Sequence, residues 1–146
     1  MGLKGKLISQ TEMKCAGHLL HEHFKSNPHQ SSTMSPDKIK NFTLHEGQLG
    51  STGSVVSWKY ILGGKEQHVK HLVHIDDETK SITFNFVEGD LTQLYKSMAA
   101  TLSAEGNWMT WTIVYEKLNE NIPEPIDVLE FCIGFLKDLE PHHVGK

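Results

Sequence analysis

The sequence predicts an α+β domain in which a curved antiparallel sheet wraps around one long C-terminal helix. Residues 124–143 carry apolar side chains at helical spacing on one side and charged side chains on the other. Between residues 39 and 117, apolar and polar residues alternate in short segments separated by turn signals. Such alternation is typical of an antiparallel meander with one buried face and one solvated face.

The composition fits one domain, residues 1–146, and excludes several classes of protein. The apolar content of 38% is ordinary for a globular chain of this length. A net charge of -4 without a basic run argues against nucleic-acid binding. No apolar run is long enough to span a membrane, and no signal peptide opens the chain. Cys15 and Cys132 are too few for a disulfide framework, so we expect a cytoplasmic protein.

The first part of the chain predicts one strand and one short helix. Residues 3–12 alternate weakly and indicate a strand. Residues 15–25 change to a helical period, with Leu19, Leu20 and Phe24 on the apolar face, and Asn27-Pro28 ends that helix. Residues 31–37 are polar and suit a turn or a single helical turn.

The middle of the chain predicts further strands at residues 39–46, 55–62, 66–75, 81–87, 94–103 and 108–117. Gly63-Gly64 is a two-residue hairpin signal between two of them. The glycine-rich loop 47–53 lacks the ending of a phosphate-binding motif, so we expect a flexible hairpin loop. In segment 94–103 the alternation predicts Leu94 inward and Tyr95 outward.

The last stretch predicts the long helix around which the sheet is arranged. Pro123 and Pro125 mark its start, and Pro141 is expected to end it or to cap its last turn. Its apolar stripe consists of Val128, Leu129, Cys132, Phe135, Leu136 and Leu139. A sheet closed around such a stripe either packs solid or encloses a cavity, and the alternation does not distinguish the two.

The histidines of the first helix do not predict a metal site. His18 and His21 share a helix face, and His23 lies close by. No paired cysteines and no HExxH motif accompany them, so solvated histidines are the better interpretation. His142 and His143 are interpreted as polar residues of the terminus. We therefore predict no metal.

Three inward side chains are candidates for acid–base chemistry. His71 shares the apolar parity of Val69 and Val73, so it is either a buried imidazole bonded to a neighbour or a proton-transfer group in a cavity. A bulge in the strand would reverse that parity. Tyr60 and Tyr115 are also inward by alternation. Cys132 has no paired base in the sequence and is interpreted as a core thiol.

Several short motifs are spread over nearly the whole chain: GLKGKL at residues 2–7, HEG at 45–47, IDDE at 75–78, VEGDL at 87–91, TWT at 110–112 and YEKLNE at 115–120, followed by PEP at 123–125. Together they resemble the plant major latex protein-like family, within the Bet v I-type, START-like superfamily. The resemblance implies a helix-grip fold: a seven-stranded sheet around the C-terminal helix, two short helices closing one end, and a large, mostly apolar cavity. The short connection at residues 104–107 departs from many relatives, which carry an insertion there.

The resemblance implies that the chain binds a small hydrophobic plant metabolite, such as a terpenoid, steroid, flavonoid, alkaloid or hormone, in defence or specialised metabolism. The alternative is a cofactor-free cyclase or isomerase acting on a reactive metabolite, with His71, Tyr60 and Tyr115 as candidate catalytic residues. We expect no cofactor, and a monomer or weak dimer. The predicted ligand-binding residues are Val56, Trp58, Tyr60, Val69, His71, Ile82, Phe84, Phe86, Met98, Ala100, Met109, Trp111, Ile113, Val128, Cys132, Phe135 and Leu136.

Overall fold

Seven antiparallel strands form one curved sheet in the computed structural model, which describes residues 3–143. Gly2 of the N-terminal motif and residues 144–146 lie outside the described residues. The strands are β1 (Lys4–Glu12), β2 (Ile39–Glu46), β3 (Val55–Leu62), β4 (Lys65–Asp76), β5 (Ser81–Gly89), β6 (Tyr95–Glu105) and β7 (Trp108–Lys117). They lie in the order β1-β7-β6-β5-β4-β3-β2, so β1 and β2 form the two edges.

The predicted meander is confirmed strand by strand. The bounds of β2, β3 and β7 match the predicted segments, and the other strands differ by a few residues at their ends. The β3–β4 hairpin turns at Gly63 and Gly64, whose φ angles of 60° and 79° are both positive. A two-residue turn of this type requires such angles, which explains why glycine occupies both positions.

The predicted orientation of the start of β6 is wrong. Tyr95 is buried at 4% exposure, whereas Leu94 is 43% exposed. A 3₁₀ turn at Leu91–Gln93 precedes the strand, and the β6–β7 register shifts between Tyr95 and Ser97. Because each shift of one residue exchanges the two faces of a strand, alternation counted back from Met98 fails beyond the shift.

Two short helical units cover one end of the sheet. The first consists of α1 (Ala16–His18) and a π-helix at Leu19–Ser26. The second consists of a 3₁₀ turn at Pro28–Gln30 and α2 (Ser31–Met34). The sequence predicted the position of the first unit but not its π-helical form, in which hydrogen bonds join residues five apart.

The long helix α3 (Ile126–His143) lies across the inner face of the sheet. The Trp111 Nε1–H of β7 donates to the carbonyl of Cys132 at 3.1 Å, which joins the helix to the centre of the sheet. Of the two predicted roles of Pro141, the structure shows the second: Pro141 lies in the last turn of the helix, which continues to His143. Pro141 removes only the bond to the carbonyl of residue 137, and Lys137 is exposed, so water can bind that carbonyl instead.

A second set of polar bonds holds α3 to the turn that precedes β2. The Ser35 hydroxyl donates to a carboxylate oxygen of Asp138 at 2.6 Å, and Lys38 Nζ binds the same oxygen at 2.8 Å. Partial burial acts to raise the pKa of Asp138, but the bonds from Lys38 and Ser35 favour the charged carboxylate, and together with the charge of Lys38 they lower the pKa below its ordinary value. The helix is thus fixed to the sheet at its middle and near its C-terminal end.

Candidate functional site

A cavity of about 80 Å³ lies between the inner face of the sheet and α3. It is lined by aliphatic and aromatic side chains, one thiol and one imidazole, with no acidic or basic residue among them apart from that imidazole. The residues that line it are Phe24, Ile39, Trp58, Tyr60, Val69, His71, Phe84, Phe86, Leu91, Ala100, Trp111, Val128, Phe131, Cys132 and Phe135. The binding site was predicted at this position, between the sheet and the C-terminal helix.

The structure brings most of the predicted ligand-binding residues to this cavity. Those at the cavity are Trp58, Tyr60, Val69, His71, Phe84, Phe86, Ala100, Trp111, Val128, Cys132 and Phe135. The others do not line it: Val56, Ile82, Met98, Met109, Ile113 and Leu136 are buried in the core but lie outside the cavity. The alternation of apolar and polar residues therefore identifies buried residues. It does not distinguish those that line the cavity from those packed in the solid core.

Four residues of the lining were not predicted: Phe24, Ile39, Leu91 and Phe131. Phe24 belongs to the π-helix, and Leu91 to the 3₁₀ turn before β6. Phe131 flanks the predicted helix stripe and contacts Tyr60, with ring centroids 5.5 Å apart. The apolar character of these residues is the signal that the sequence offers, and the placement of Phe24 and Phe131 depends in addition on how their helices pack against the sheet.

The cavity is much smaller than the large one implied by the family resemblance. Aromatic rings occupy the space between sheet and helix: the Phe24 ring lies 5.8 Å from that of Phe135 and 6.1 Å from that of Trp111, centroid to centroid. The ring of Trp58 lies 6.4 Å from that of Phe135. Pockets that hold small molecules are usually about 300–1,000 Å³. Any sizeable ligand must therefore displace some of these rings.

His71 is the one imidazole of the lining. It is buried at 8% exposure and packs against Phe86 and Phe84, with ring centroids 4.5 and 5.3 Å away. Burial lowers its pKa to about 3, because an apolar surrounding disfavours the charged form. Neither ring nitrogen has a hydrogen-bond partner within residues 3–143. The interpretation of a buried imidazole bonded to a neighbour is therefore wrong.

A bulge does occur beside His71, but it lies in the neighbouring strand. Lys70 pairs with Glu88 and His71 pairs with Phe86, so Val87 of β5 is the extra residue. Val87 is exposed, and the inward parity of His71 along β4 is preserved. The bulge therefore leaves the predicted orientation of His71 correct.

The two tryptophans of the lining differ in hydrogen bonding. Trp111 uses its indole N–H on the carbonyl of Cys132, as described above. The Trp58 Nε1–H is also buried but has no acceptor in the described part of the chain. Buried N–H groups are nearly always paired in folded proteins, so an unpaired indole in a cavity wall requires an explanation.

The two candidate catalytic tyrosines occupy different places. Tyr60 lines the cavity, and its hydroxyl donates to Gln67 Oε1 at 3.1 Å. Burial is the main reason that the pKa of Tyr60 is raised above its ordinary value. Tyr115 is outside the cavity, where its hydroxyl bonds to the Glu124 carboxylate that also accepts from Lys117 Nζ at 2.8 Å. The structure therefore brings His71 and Tyr60 to one cavity and leaves Tyr115 away from it.

Cys132 and the remaining histidines supply no further reactive centre. Burial raises the pKa of Cys132 to about 12, so its thiol stays protonated. The expected solvation of His23 is wrong, because His23 is fully buried and bonds Ser31 Oγ at 2.7 Å through Nε2. His143, interpreted from the sequence as a polar residue of the terminus, is also buried. Across residues 3–143, no three metal-binding side chains come together as a metal site would need.

None of the helices in the described range 3–143 combines the length and the apolar character that crossing a membrane would need. This agrees with the absence of a long apolar run in the sequence.

Comparison with known proteins identifies the family. Residues 2–145 match the model of the pathogenesis-related protein Bet v 1 family. MLP-like protein 43 of Arabidopsis thaliana is 38% identical over 151 aligned residues, which cover 99% of this chain and 96% of that protein. The crystal structure of ginseng major latex-like protein 151 from Panax ginseng has a TM-score of 0.93 at 41% identity, covering 98% of this chain and 99% of that one.

A more distant structure shares the fold alone. Norcoclaurine synthase from Thalictrum flavum, in complex with dopamine and hydroxybenzaldehyde, has a TM-score of 0.73 at 13% identity. It covers 98% of this chain and 90% of its own. The family match, the identity to major latex-like relatives and the helix-grip fold agree with the motifs read from the sequence. The chain therefore belongs to the pathogenesis-related protein Bet v 1 family, among its major latex protein-like members.

Proposed function

We propose that this protein binds a small hydrophobic plant metabolite in the cavity between the sheet and α3. The observation that carries the proposal is the lining itself, which is formed by apolar surface and includes two rings, Trp58 and His71, whose buried nitrogens have no partner within residues 3–143. Binding sites for small molecules have this character: mostly hydrophobic walls with a small number of polar groups that orient the ligand. Membership of the Bet v 1 family supports a role in plant defence or specialised metabolism, and we place the protein in the cytoplasm.

Binding requires the aromatic rings in the cavity to move. Phe24 and Phe135 meet edge-on near the centre, between Trp111 on one side and Trp58 on the other. Phe24 lies in the π-helix of the short N-terminal unit, and Phe135 lies in α3. A ligand that binds the opened arrangement better shifts the population toward it, so the small cavity is the ligand-free state of a larger site.

The alternative activity is that of a cofactor-free cyclase or isomerase acting on a reactive terpenoid, iridoid or alkaloid intermediate. His71 is the acid–base candidate at the cavity, with Tyr60 beside the same space. An imidazole with a pKa near 3 is a weak base at neutral pH, and efficient acid–base groups have a pKa near the working pH. Tyr115 lies away from the cavity. These features favour binding over catalysis.

A fluorescence titration tests binding. Trp58 and Trp111 line the cavity, whereas Trp108 is 46% exposed at the start of β7. In a Trp108→Phe variant the tryptophan signal comes from the cavity wall. We expect saturable quenching by at least one member of a panel of terpenoids, steroids, flavonoids and plant hormones. Unsaturable or absent quenching with every compound would contradict the proposal.

The alternative has its own assay. The protein is incubated with reactive dialdehydes, enols and dienones, and the stereochemistry of the products is compared with that formed in buffer. If binding is the whole function, the product mixture is unchanged. A shifted product ratio that disappears in a His71→Phe variant would favour the enzyme instead.

A further inference from the structure

We propose that the ligand is uncharged and carries a hydroxyl or carbonyl oxygen that binds between the Trp58 indole N–H and the His71 imidazole. The inference rests on the proposed function and specifies the chemistry of the ligand. Two of the lining residues, Trp58 and His71, carry buried nitrogens without a partner within residues 3–143, and no charged side chain lines the cavity.

The two side chains are neighbours on the inner face of the sheet. Trp58 of β3 pairs with Val69 of β4, and His71 pairs with Val56. Trp58 and His71 are thus diagonal neighbours on adjacent strands, a spacing of about 7–8 Å that is somewhat less between the Cβ atoms. Each hydrogen bond to oxygen spans about 2.7–3.2 Å between heavy atoms, so an oxygen held between the two rings bonds to both when their nitrogens turn toward it.

Their bonding capacity defines the polar group of the ligand. The indole N–H of Trp58 only donates, while a neutral imidazole has one donor and one acceptor nitrogen. All three of these atoms are buried without a partner within the described residues, unlike the N–H of Trp111. A hydroxyl can accept from Trp58 and donate to His71, and a carbonyl can accept from both. The packing of His71 against Phe84 and Phe86 fixes the position of its ring.

The wall selects against charged ligands. No lysine, arginine, aspartate or glutamate lines the cavity, and burial keeps His71 neutral. A carboxylate or ammonium would lose its hydration there without gaining a counter-charge, which is very unfavourable. The aromatic side chains around the site offer edge and face contacts to a planar ring system. We therefore expect a neutral ligand with a ring framework and an oxygen substituent.

Three probes with one ring system separate these contributions: naphthalene, β-naphthol and β-naphthoate. Equilibrium dialysis measures the affinity of each probe for the wild-type chain and for the variants His71→Phe and Trp58→Phe. Each variant keeps an aromatic ring but loses the ring nitrogens of the original side chain. His74→Phe is the matched control, because His74 lies on the same strand but is exposed on the outer face. The ratio of the naphthol affinity to the naphthalene affinity cancels the effect of each substitution on the apolar contacts.

We expect the naphthol-to-naphthalene ratio to fall roughly tenfold in His71→Phe and several-fold in Trp58→Phe, which is the effect of losing one hydrogen bond. The ratio should be unchanged in His74→Phe. Binding of β-naphthoate to the wild type should be at least about a hundredfold weaker than that of β-naphthol, because its charge is unpaired.

The outcomes separate this inference from the proposed function. If naphthalene and β-naphthol bind but their ratio stays the same in both ring variants, the inference is overturned while cavity binding stands. Binding of β-naphthoate as tight as that of β-naphthol also overturns it. If neither neutral probe binds the wild type, the experiment contradicts the proposed function as well. Should His71→Phe fail to fold, the ratio in Trp58→Phe decides.

Discussion

Truncation of Leu136 to alanine is expected to lower the free energy of unfolding by about 2–5 kcal/mol. Leu136 of α3 is fully buried and does not line the cavity, so its removal leaves a new void in solid core. The cost combines the lost burial of the side chain with the cavity left behind. Urea denaturation of the variant, compared with the wild type, measures the change.

Truncation of Phe135, the residue before Leu136 in α3, is expected to affect stability differently. It lines the existing cavity, so Phe135→Ala enlarges that space instead of opening a separate one. We expect a loss below the usual range of about 3–5 kcal/mol for a buried phenylalanine, together with binding of larger ligands than the wild type accepts. Cys132→Ala, also at the cavity, should change stability least.

The three helix variants test the cavity as a group. If Leu136→Ala, Phe135→Ala and Cys132→Ala all show full core losses and leave the ligand panel unchanged, α3 only fills the core. That result would contradict the proposal that its stripe forms one wall of a binding site.

Acidification is expected to destabilise the protein well above the pH at which carboxylates titrate. His23 and His71 are buried, and burial is the main cause that lowers the pKa of each to about 3. In the unfolded chain both take up a proton near their ordinary value of about 6.5. Their stability contribution is therefore complete above pH about 6.5 and is lost as the pH falls toward 3.

The expected slope is about 1.4 kcal/mol per pH unit for each histidine, or roughly twice that for both, over the steep part of this range. Asp138 has a lowered pKa, so its contribution is lost only below its ordinary value, in a separate and more acidic window. Urea titrations at a series of pH values between 7 and 4.5 measure the slope.

Single substitutions measure how much each of the two histidines contributes to that slope. His71→Phe should remove about half of it, since of these two histidines His23 alone then remains to take up a proton on unfolding. His74→Phe, at an exposed position of the same strand, is the control for the substitution itself. Equal slopes for His71→Phe and the wild type would contradict the account of His71 as a buried, neutral imidazole.

The architecture was largely readable from the sequence, because it depends on local patterns. Alternation identified the inward residues of β3, β5 and β7, and the glycine pair fixed the β3–β4 hairpin. Alternation failed at Leu94 and Tyr95, where a 3₁₀ turn and a register shift follow one another. A local pattern carries no information about such a shift, which depends on pairing with the next strand.

The cavity was predictable in position but not in detail. His71 was recognised by parity alone, whereas Phe24 depends on a π-helix and Phe131 on the rotation of α3. The volume depends on how individual aromatic rings pack against each other, and a binary pattern of apolar and polar residues does not specify side-chain conformations. The unpaired nitrogens of Trp58 and His71 likewise emerge only from three-dimensional contacts.

The most direct test of cavity binding is the nuclear magnetic resonance spectrum of the indole N–H groups during titration with β-naphthol. The three tryptophans sample three environments: Trp58 has an unpaired N–H at the cavity, Trp111 has a paired one there, and Trp108 is exposed. We predict that the Trp58 signal moves most and downfield as its N–H gains an acceptor, that Trp111 moves less, and that Trp108 stays in place. Saturation of the protein with β-naphthol while the Trp58 and Trp111 signals remain unmoved would contradict binding in the cavity.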